Sequence, residues 1–495
     1  MQNTTVESTL PGSSATEDEG HYYWRKNCPY LYDTMLSYTL EWPTLTLDWL
    51  PNSYKSPDGS YSVHKIVYGT HTSGQEPNYL VIAEVHLGDL ESNNDLMNNE
   101  SFAEYNYNPD AQNGSCVQFE VKAKLNHPGE VNKALHMPGH PFVITTRTVS
   151  GDILMFDYSK HESFPTDEFC RPQLLLRGHK SEGYAMDWEC TKSSFGEKDE
   201  KTGTSTLVSG GSDRIIYLWD LNGATGYDLN SNMRNNFVYY PKTTLGGTET
   251  NEDRELVNCE LPPPVLEPLR SYDWHKSDVN DLKWHPSCRF LFSSASDDKS
   301  FAFWDTRNSE NSSFNAKPVL FKETHSHINC ISFNEFFPTM FATGDADGIV
   351  GIWDSRNLSK SIFDLEFHSG KPILSLQWSR WTPNILSSGG VDGKVIVWDI
   401  FAGSEQRPND QNVCDNKCEE IQNPNKSSPS HASPCSSKAL FVHCGHTAPI
   451  TGLAWNPNDH GDSLLMASSS EDNTIQFWQL ADLYLKGLNR DDKAP

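Results

Sequence analysis

The sequence is poor in positive charge relative to negative charge. Lys and Arg together number 39 against 66 Asp and Glu, so the formal net charge is −27 and the isoelectric point lies near 5.0. Nucleic-acid binding draws on many surface Lys and Arg residues, so we expect no direct contact with nucleic acid. A strongly acidic chain favours basic partners instead.

Long apolar runs and closely paired cysteines are also missing. No stretch approaches the roughly 18 apolar residues of a membrane-spanning helix. The segment 1–20 is polar and has no apolar signal region. The 11 Cys residues lie at wide spacings, which favours reduced thiols over a disulfide framework. We therefore expect a soluble intracellular protein without membrane contact.

Apolar residues are scarce for a packed chain of this length. They make up 36% of 495 positions, so we expect part of the chain to be loop or disorder. The expected polar inserts lie near 88–115, 221–268 and 401–438, with a disordered acidic N-terminus at 1–20 and a tail at 482–495. The 14 Trp, 19 Tyr and 23 Phe indicate that the folded part is well packed.

One short element recurs along the chain: an apolar run that ends in an aromatic residue and, usually, an acid. The copies end at Phe156-Asp157, Trp219-Asp220, Trp304-Asp305, Trp353-Asp354, Trp398-Asp399 and Trp478-Gln479. Small residues and an acid precede most copies, and a His lies upstream of several. Each unit is typical of short strands joined by turns. The unit resembles the WD repeat, a four-stranded propeller blade of roughly 40–45 residues.

Seven such blades account for the folded part of the chain. Six units lie within 117–480, and three further apolar strands within 45–87 supply the seventh. We therefore predict an all-β, seven-bladed WD-repeat propeller over 39–481. Its His, Ser, Asp and Trp residues, for example His179, Ser209, Asp213 and Trp219, should form a buried hydrogen-bond chain. Catalytic triads do not recur once per blade, so we interpret these chains as structural and expect no enzyme.

An N-terminal α-helix is predicted over 21–38, ahead of the first strand. Acids at 17–19 suit the start of a helix, and Pro29 should break this helix or begin a second one. Tyr23, Tyr30, Leu31 and Thr34 fall near helical spacing.

A propeller presents the residues that begin each inner strand on its top face. Counting back from each aromatic landmark places two rim residues around one inward apolar residue. The pairs are Glu130 and Asn132, Glu182 and Tyr184, Asp278 and Asn280, His327 and Asn329, Pro372 and Leu374, and Pro449 and Thr451. Asp297 and Glu471 add two acids. Clustered carboxylates beside Tyr184 suit a guanidinium or ammonium group, although surface acids are usually simply solvated.

Several motifs are similar to those of the MSI-like, retinoblastoma-binding histone-chaperone family of WD-repeat proteins. The most specific are Leu40-Glu41-Trp42-Pro43, Gly69-Thr70-His71-Thr72-Ser73 and Glu182-Gly183-Tyr184. The resemblance covers about 22–481 apart from the long inserts. It implies a non-catalytic scaffold without cofactors that binds core histones H3 and H4. It also implies a subunit of histone acetyltransferase, deacetylase, methyltransferase or chromatin assembly complexes, located in the nucleus with the cytoplasm as a second location.

The resemblance implies two histone sites. The top face would take the histone H3 tail through Glu130, Asn132, Glu182, Tyr184, Asp297 and Asn329. Two positions depart from the family, which usually has a Glu where Asn280 stands and an aromatic residue where Leu374 stands. Loss of a charged contact typically costs about 1.5–3 kcal/mol, so tail affinity should be reduced.

The second implied site holds the first helix of histone H4 beside the N-terminal helix. Tyr30, Leu31 and Thr34 match the helix side. An acidic loop should face them, and here the insert offers Asp415, Glu419 and Glu420 without the family's Pro-Pro pair. Phe441 and Val442 should continue the apolar wall.

Two alternatives remain open at this stage. Trp304-Asp305-Thr306-Arg307 and Trp353-Asp354-Ser355-Arg356 fit the box by which some WD proteins dock on cullin-type ubiquitin ligases, which suggests a substrate receptor. Zinc binding is weakly indicated by loosely spaced residues: Cys414, Cys418, His431, Cys435, His443 and Cys444. Without a tight two-residue Cys pair we interpret them as reduced thiols and expect no metal.

Overall fold

Short β-strands make up nearly all of the regular secondary structure. The computed structural model describes residues 19–57, 61–88, 107–108, 118–189, 206–221, 263–308, 317–402, 438–458 and 464–481. The strands form seven sheets of four or five strands each. The first strand of every sheet contacts the first strands of its two neighbours, so the sheets are blades around a common axis. The predicted seven-bladed propeller is confirmed.

Each sheet runs outward from an innermost strand near the axis. Blade 1 contains β2 (Leu47–Lys55), β3 (Tyr61–Gly69), β4 (Asn78–Gly88) and β6 (Phe119–His127). Blade 2 contains β7 (Lys133–Met137), β8 (His140–Arg147), β9 (Ile153–Asp157), β10 (Leu174–Leu176) and β14 (Val265–Leu266). Blade 3 contains β11 (Met186–Trp188), β12 (Thr206–Gly210), β13 (Ile216–Asp220) and β15 (Arg270–Tyr272). A short 3-10 turn, Tyr158–Lys160, follows β9.

The remaining blades include both ends of the described chain. Blade 4 contains β16 (Val279–Trp284), β17 (Leu291–Ser296), β18 (Ser300–Asp305) and β19 (Leu320–Glu323). Blade 5 contains β20 (Ile328–Phe333), β21 (Met340–Asp345), β22 (Ile349–Asp354) and β23 (Phe363–Glu366). Blade 6 contains β24 (Ile373–Trp378), β25 (Ile385–Gly390), β26 (Val395–Asp399) and β27 (Ala439–His443). Blade 7 contains β28 (Ile450–Trp455), β29 (Leu465–Ser470), β30 (Thr474–Leu480), β1 (Tyr32–Thr39) and β5 (Tyr107–Asn108).

The N-terminal segment differs from its prediction. Helix α1 spans Glu19–Leu31 and includes Pro29, and the chain then becomes strand β1 instead of continuing as helix to residue 38. Strand β1 pairs antiparallel with β30, with Met35 opposite Trp478, and so closes the ring. Met35 and Leu36 are both buried in this strand, and the backbone partners that β30 offers stabilise the extended form.

Two of the predicted inserts contribute strands to the propeller. Strand β5 adds to β1 in parallel, with Tyr107 opposite Met35, and β14 adds to β10 in parallel, with Val265 opposite Leu175. These short strands satisfy part of the outer edge of blades 7 and 2. The predicted N-terminal region, the tail and most of the insert residues lie outside the described residues.

Buried hydrogen-bond chains stabilise individual blades, as predicted. In blade 3, His179 Nε2 lies 2.8 Å from Ser209 Oγ, which also accepts from Trp219 Nε1 at 2.8 Å, and His179 Nδ1 lies 3.0 Å from the Asp213 carboxylate. The same arrangement occurs in blade 4 around His275. In blade 7, His446 and Trp478 contact Ser468 in the same way, but His446 Nδ1 lies 3.0 Å from Thr474 Oγ1 and 3.4 Å from the Asp472 carboxylate. A further copy in blade 6, which sequence reasoning missed, is formed by His368, Ser388, Asp392 and Trp398.

Neighbouring inner strands are joined by bonds from backbone to side chain. The backbone N–H of Trp284 donates to Asp187 at 2.8 Å, and that of Ile331 donates to Asp281 at 3.0 Å. Gln377 accepts from the backbone N–H of Trp455 in the same way. These bonds hold consecutive blades in register and so fix the spacing of the residues on the top rim.

Candidate peptide-binding surfaces

The top rim is built by β-bulges at the start of four inner strands. Strands β16, β20, β24 and β28 begin with a buried Val or Ile, as the register counted from the landmarks predicts. Directly after it, the register shifts by one residue, so that the next side chain has no ladder partner. The bulged residues are Asn280, Asn329, Leu374 and Thr451. A bulge re-aims its side chain, and here it presents predicted rim residues.

The first acidic cluster joins blades 2 and 3. Tyr184 is 49% exposed. Burial of part of its ring raises the pKa of the Tyr184 phenol, and the nearby charges of Glu182 and Glu130 raise it further. The structure therefore brings these three predicted residues together. Sequence reasoning missed His71, whose Nε2 lies 3.0 Å from the Glu130 carboxylate.

Asn132 lies beneath the rim rather than on it. Its side chain is almost completely buried, and its amide has no hydrogen-bond partner within the part of the chain that the structure describes. Its backbone N–H donates to the carbonyl of Arg147 at 3.1 Å.

The second acidic cluster surrounds Asp297. Asn280 Nδ2 donates to Asp297 Oδ1 at 2.6 Å and to the Ile328 carbonyl at 3.0 Å. His327 lies on the other side, with Nδ1 2.5 Å from the Asp297 carbonyl and 4.0 Å from its carboxylate. One oxygen of this carboxylate is therefore already occupied by an amide of the same chain. The backbone N–H of Asp297 donates to the Asp278 carbonyl, which places Asp278 beside this cluster.

Beyond the two clusters, the rim carries one further predicted acid, Glu471 of blade 7, which is exposed and whose backbone N–H donates to the Pro449 carbonyl at 3.0 Å. Asn329 Nδ2 donates to the Ile373 carbonyl at 2.9 Å, which ties blade 5 to blade 6, and Leu374 is 39% exposed. Val149, which sequence reasoning missed, adds a second exposed apolar side chain beside Gly129. The top face therefore combines carboxylates on blades 2 to 4 with apolar surface beside them.

A second surface is formed where α1 packs on blades 6 and 7. Trp24 Nε1 donates to Tyr32 Oη at 2.7 Å, Tyr32 Oη lies 2.7 Å from His443 Nδ1, and His443 Nε2 lies 2.8 Å from Gln476 Oε1. Burial holds the pKa of His443 well below its ordinary value. The neutral ring accepts from Tyr32 and donates to Gln476, so a directional hydrogen-bond chain anchors α1 to the propeller.

The predicted helix-binding residues differ in their exposure on this surface. Tyr30 is 80% exposed, whereas Leu31 packs partly buried against a cluster that contains Phe441. Thr34 lies in β1 and is 3% exposed, so its predicted helical spacing is wrong. Val442 is half-buried. The predicted acids Asp415, Glu419 and Glu420 lie outside the described residues.

The structure describes all of the predicted ubiquitin-ligase docking residues and two of the six zinc candidates. Arg307 forms a bidentate pair with Asp305, and Arg356 pairs likewise with Asp354, and both guanidinium groups are exposed. Of the zinc candidates, His443 belongs to the buried chain that anchors α1 and Cys444 follows it, while the other four lie outside the described residues. Within the described ranges, His, Cys, Asp and Glu side chains form no group of three that could hold a metal ion. No helix of these ranges has the length and hydrophobicity needed to cross a membrane.

Two family models match the chain. The model described as that of histone-binding protein RBBP4, or of the corresponding component of the CAF1 complex, matches residues 19–89, which span α1 and the strands β1 to β4. The WD domain, G-beta repeat model matches 266–305, 316–354, 359–399 and 437–479, and these matches end at or next to the ends of the third strands of blades 4 to 7. The molecule is thus a WD-repeat β-propeller protein. Within that class, the two matches support the MSI-like, retinoblastoma-binding family of WD-repeat histone-binding proteins.

Proposed function

We propose that the protein is a non-catalytic scaffold that binds core histones H3 and H4 within nuclear chromatin assembly or histone-modifying complexes. The observation that carries the proposal is the match over 19–89, since this segment forms α1 and the strand that closes the ring. The matches favour this function over the ubiquitin-ligase receptor. The net charge of −27 suits basic partners.

The top face is the proposed site of the histone H3 tail. Glu130 and Glu182 lie close enough to Tyr184 to raise the pKa of its phenol, and the three side chains together can pair with and stack on an arginine or lysine side chain. No described residue forms an ion pair with Glu182, whereas Glu130 must release His71 to pair fully with a ligand. Asp297 offers its second carboxylate oxygen, Asn280, Asn329 and Leu374 shape the rim, and buried Asn132 supports it from beneath.

The surface beside α1 is the proposed site of the first helix of histone H4. Tyr30 offers a large exposed ring, and Leu31 packs behind it against the cluster that contains buried Phe441. Val442, the next residue of β27, is half-buried and packs against the neighbouring core of blades 5 and 6. An amphipathic helix binds such a surface by its apolar face. The acids Asp415, Glu419 and Glu420 would contribute the charged side of the groove.

If the two sites are separate, a variant at one site should weaken binding of only one of the two peptides. The double variant Glu130→Gln, Glu182→Gln should weaken binding of a histone H3 tail peptide at least tenfold and leave binding of a histone H4 helix peptide unchanged, because only the first contact depends on these carboxylates. Tyr30→Ala should weaken binding of the histone H4 helix peptide and leave binding of the histone H3 tail peptide unchanged. Calorimetric titration of each peptide separately, at low and high salt, measures both, and tail binding should weaken as salt rises.

The control is Glu366→Gln, which removes one exposed acid from the outer strand β23 and should change neither titration. Unchanged tail binding in the double Gln variant would reject the top-face site. Tail affinity that ignores ionic strength would count against charge pairing.

A further inference from the structure

We propose that buried Arg147 is a positioning residue that holds the acidic rim of blades 2 and 3 in its ligand-binding form. The inference rests on the proposed function of the top face and adds a residue outside it. Arg147 ends strand β8 in blade 2 and is completely buried.

The Arg147 guanidinium connects three turns below the rim. Its Nε donates to the Gly183 carbonyl at 3.4 Å, Nη1 to the Gly151 carbonyl at 3.3 Å, and Nη2 to the Gly210 carbonyl at 3.1 Å. Gly183 stands between the proposed ligand residues Glu182 and Tyr184. One planar group with donors in three directions therefore fixes the backbone that carries both side chains.

The Arg147 guanidinium is packed closely against the backbone at two neighbouring glycines, Gly183 and Gly211. A methyl group at Gly183 would collide with Nη2 of Arg147 and with the Gly210 carbonyl, and one at Gly211 would lie 2.9 Å from the same nitrogen. The backbone N–H of Ser212 also donates to the Glu182 carbonyl at 2.9 Å. The turns of blade 3 are thus closed around the end of a blade 2 side chain.

Arg147 also fixes the rim of its own blade. Its carbonyl accepts from the backbone N–H of Asn132 at 3.1 Å, and Asn132 is two residues from Glu130. Through its backbone and its side chain, one residue therefore sets the separation between Glu130 on one blade and the Glu182–Tyr184 turn on the next. A cation that must meet both carboxylates depends on that separation.

The guanidinium stays charged although it is buried. Burial lowers the pKa of Arg147 to about 10, and the charges of Asp213 and Asp152 oppose this effect. No described carboxylate forms an ion pair with Arg147, so its hydrogen bonds to the three carbonyls carry the interaction. A lysine has one compact ammonium group and cannot reproduce three divergent planar donors.

The test compares Arg147→Lys and Arg147→Met with the control Arg356→Met. Arg356 is an exposed arginine in blade 5 that pairs with Asp354. Both Arg147 variants should weaken tail-peptide binding at least tenfold while binding of the helix peptide and the control stays unchanged. Hydrogen exchange should rise at residues 181–184 and 210–212 in the free Arg147 variants only.

The outcomes separate this inference from the proposed function. If the wild-type protein does not bind the tail peptide, the proposed top-face function fails, and the exchange data still decide whether Arg147 holds the turn. Folded Arg147 variants with normal tail affinity and normal exchange would overturn the inference. If neither variant folds, the Nε–H resonance of Arg147 in the wild type decides: it should shift with the tail peptide and not with the helix peptide, and no shift with either contradicts the inference.

Discussion

Single side chains on the top rim set how much negative charge is left for a ligand. Asp297 is a carboxylate on the rim, yet Asn280 donates to one of its oxygens at 2.6 Å. The same Asn280 amide ties blade 4 to blade 5 through the Ile328 carbonyl. Where the family usually has a Glu, this chain therefore has a residue that strengthens the ring and screens an acid.

This dual role predicts opposite effects of Asn280→Glu on stability and binding. The variant loses both donations and places a carboxylate beside Asp297, so the free energy of unfolding should fall by about 1–3 kcal/mol. Tail-peptide affinity should rise roughly tenfold because a cation gains a carboxylate. Urea unfolding and calorimetry measure the two effects.

The control for this prediction is Asn280→Gln, which alters the amide geometry without adding charge. It should lower stability and leave tail affinity at or below that of the wild type. Equal tail affinity in the Glu and Gln variants would show that position 280 does not contact the cation.

At this scale, sequence reasoning found the acids and missed their partners. Glu130 and Glu182 could be placed because each lies at a fixed distance from an aromatic landmark. His71 and Arg147 could not, since His71 comes from the preceding blade and Arg147 acts through backbone carbonyls of the next one. Contacts between residues of different blades produce no repeating pattern in the sequence.

At the scale of elements, one hydroxyl group links α1 to blade 6 through two hydrogen bonds. Tyr32 Oη accepts from Trp24 and contacts His443, so Tyr32→Phe should leave the Trp24 indole and His443 without their shared partner. We expect the free energy of unfolding to fall by about 1–3 kcal/mol. Hydrogen exchange over residues 21–31 should rise, and helix-peptide binding should weaken more than tail-peptide binding.

Tyr23→Phe is the matched control, because Tyr23 lies on the same helix and is 60% exposed. It should leave exchange over α1 unchanged. Equal exchange in both variants would mean that the buried hydrogen-bond chain does not hold the helix.

The boundary between α1 and β1 could not be predicted from the neighbouring residues alone. The sequence pattern predicted a helix from its acids and aromatic spacing, but not that the chain turns into a strand at Tyr32. The partner that stabilises β1 is β30, which lies more than 400 positions away in the sequence. The register of the bulged inner strands, in contrast, could be predicted, because each contains the aromatic residue from which it is counted.

At the scale of the whole molecule, buried neutral histidines couple stability to pH. His64 contacts Ser62 and Asn456, and His127 contacts the Gly129 carbonyl and Thr146. Burial lowers the pKa of both to about 4, against about 6.5 in an unfolded chain. Between these values the unfolded state binds more protons than the folded state.

The free energy of unfolding should therefore be fully retained above about pH 6.5 and should fall as pH decreases toward 4. Each histidine contributes at most about 3.5 kcal/mol, at roughly 1.4 kcal/mol for each pKa unit. Urea unfolding at a series of pH values measures the slope. His127→Gln should reduce it, and His325→Gln, at an exposed site, should not. A slope unaffected by His127→Gln would contradict this account.

Six of the seven blades could be predicted from the recurrence of one short element that ends in a buried aromatic residue, and the seventh from three apolar strands within 45–87. The outer strands Tyr107–Asn108 and Val265–Leu266 could not, since two residues carry no pattern. The fold was therefore predictable to the extent that it repeats.

The closure of the ring by β1 and β30 has a consequence for biosynthesis. The surface beside α1 draws Trp24 and Tyr32 from the start of the described chain and His443, Gln476 and Trp478 from its end. A ribosome must release the chain through blade 7 before these groups can meet, and such distant pairings form slowly. A nascent chain thus has no finished receptor for a helical partner until blade 7 has been translated.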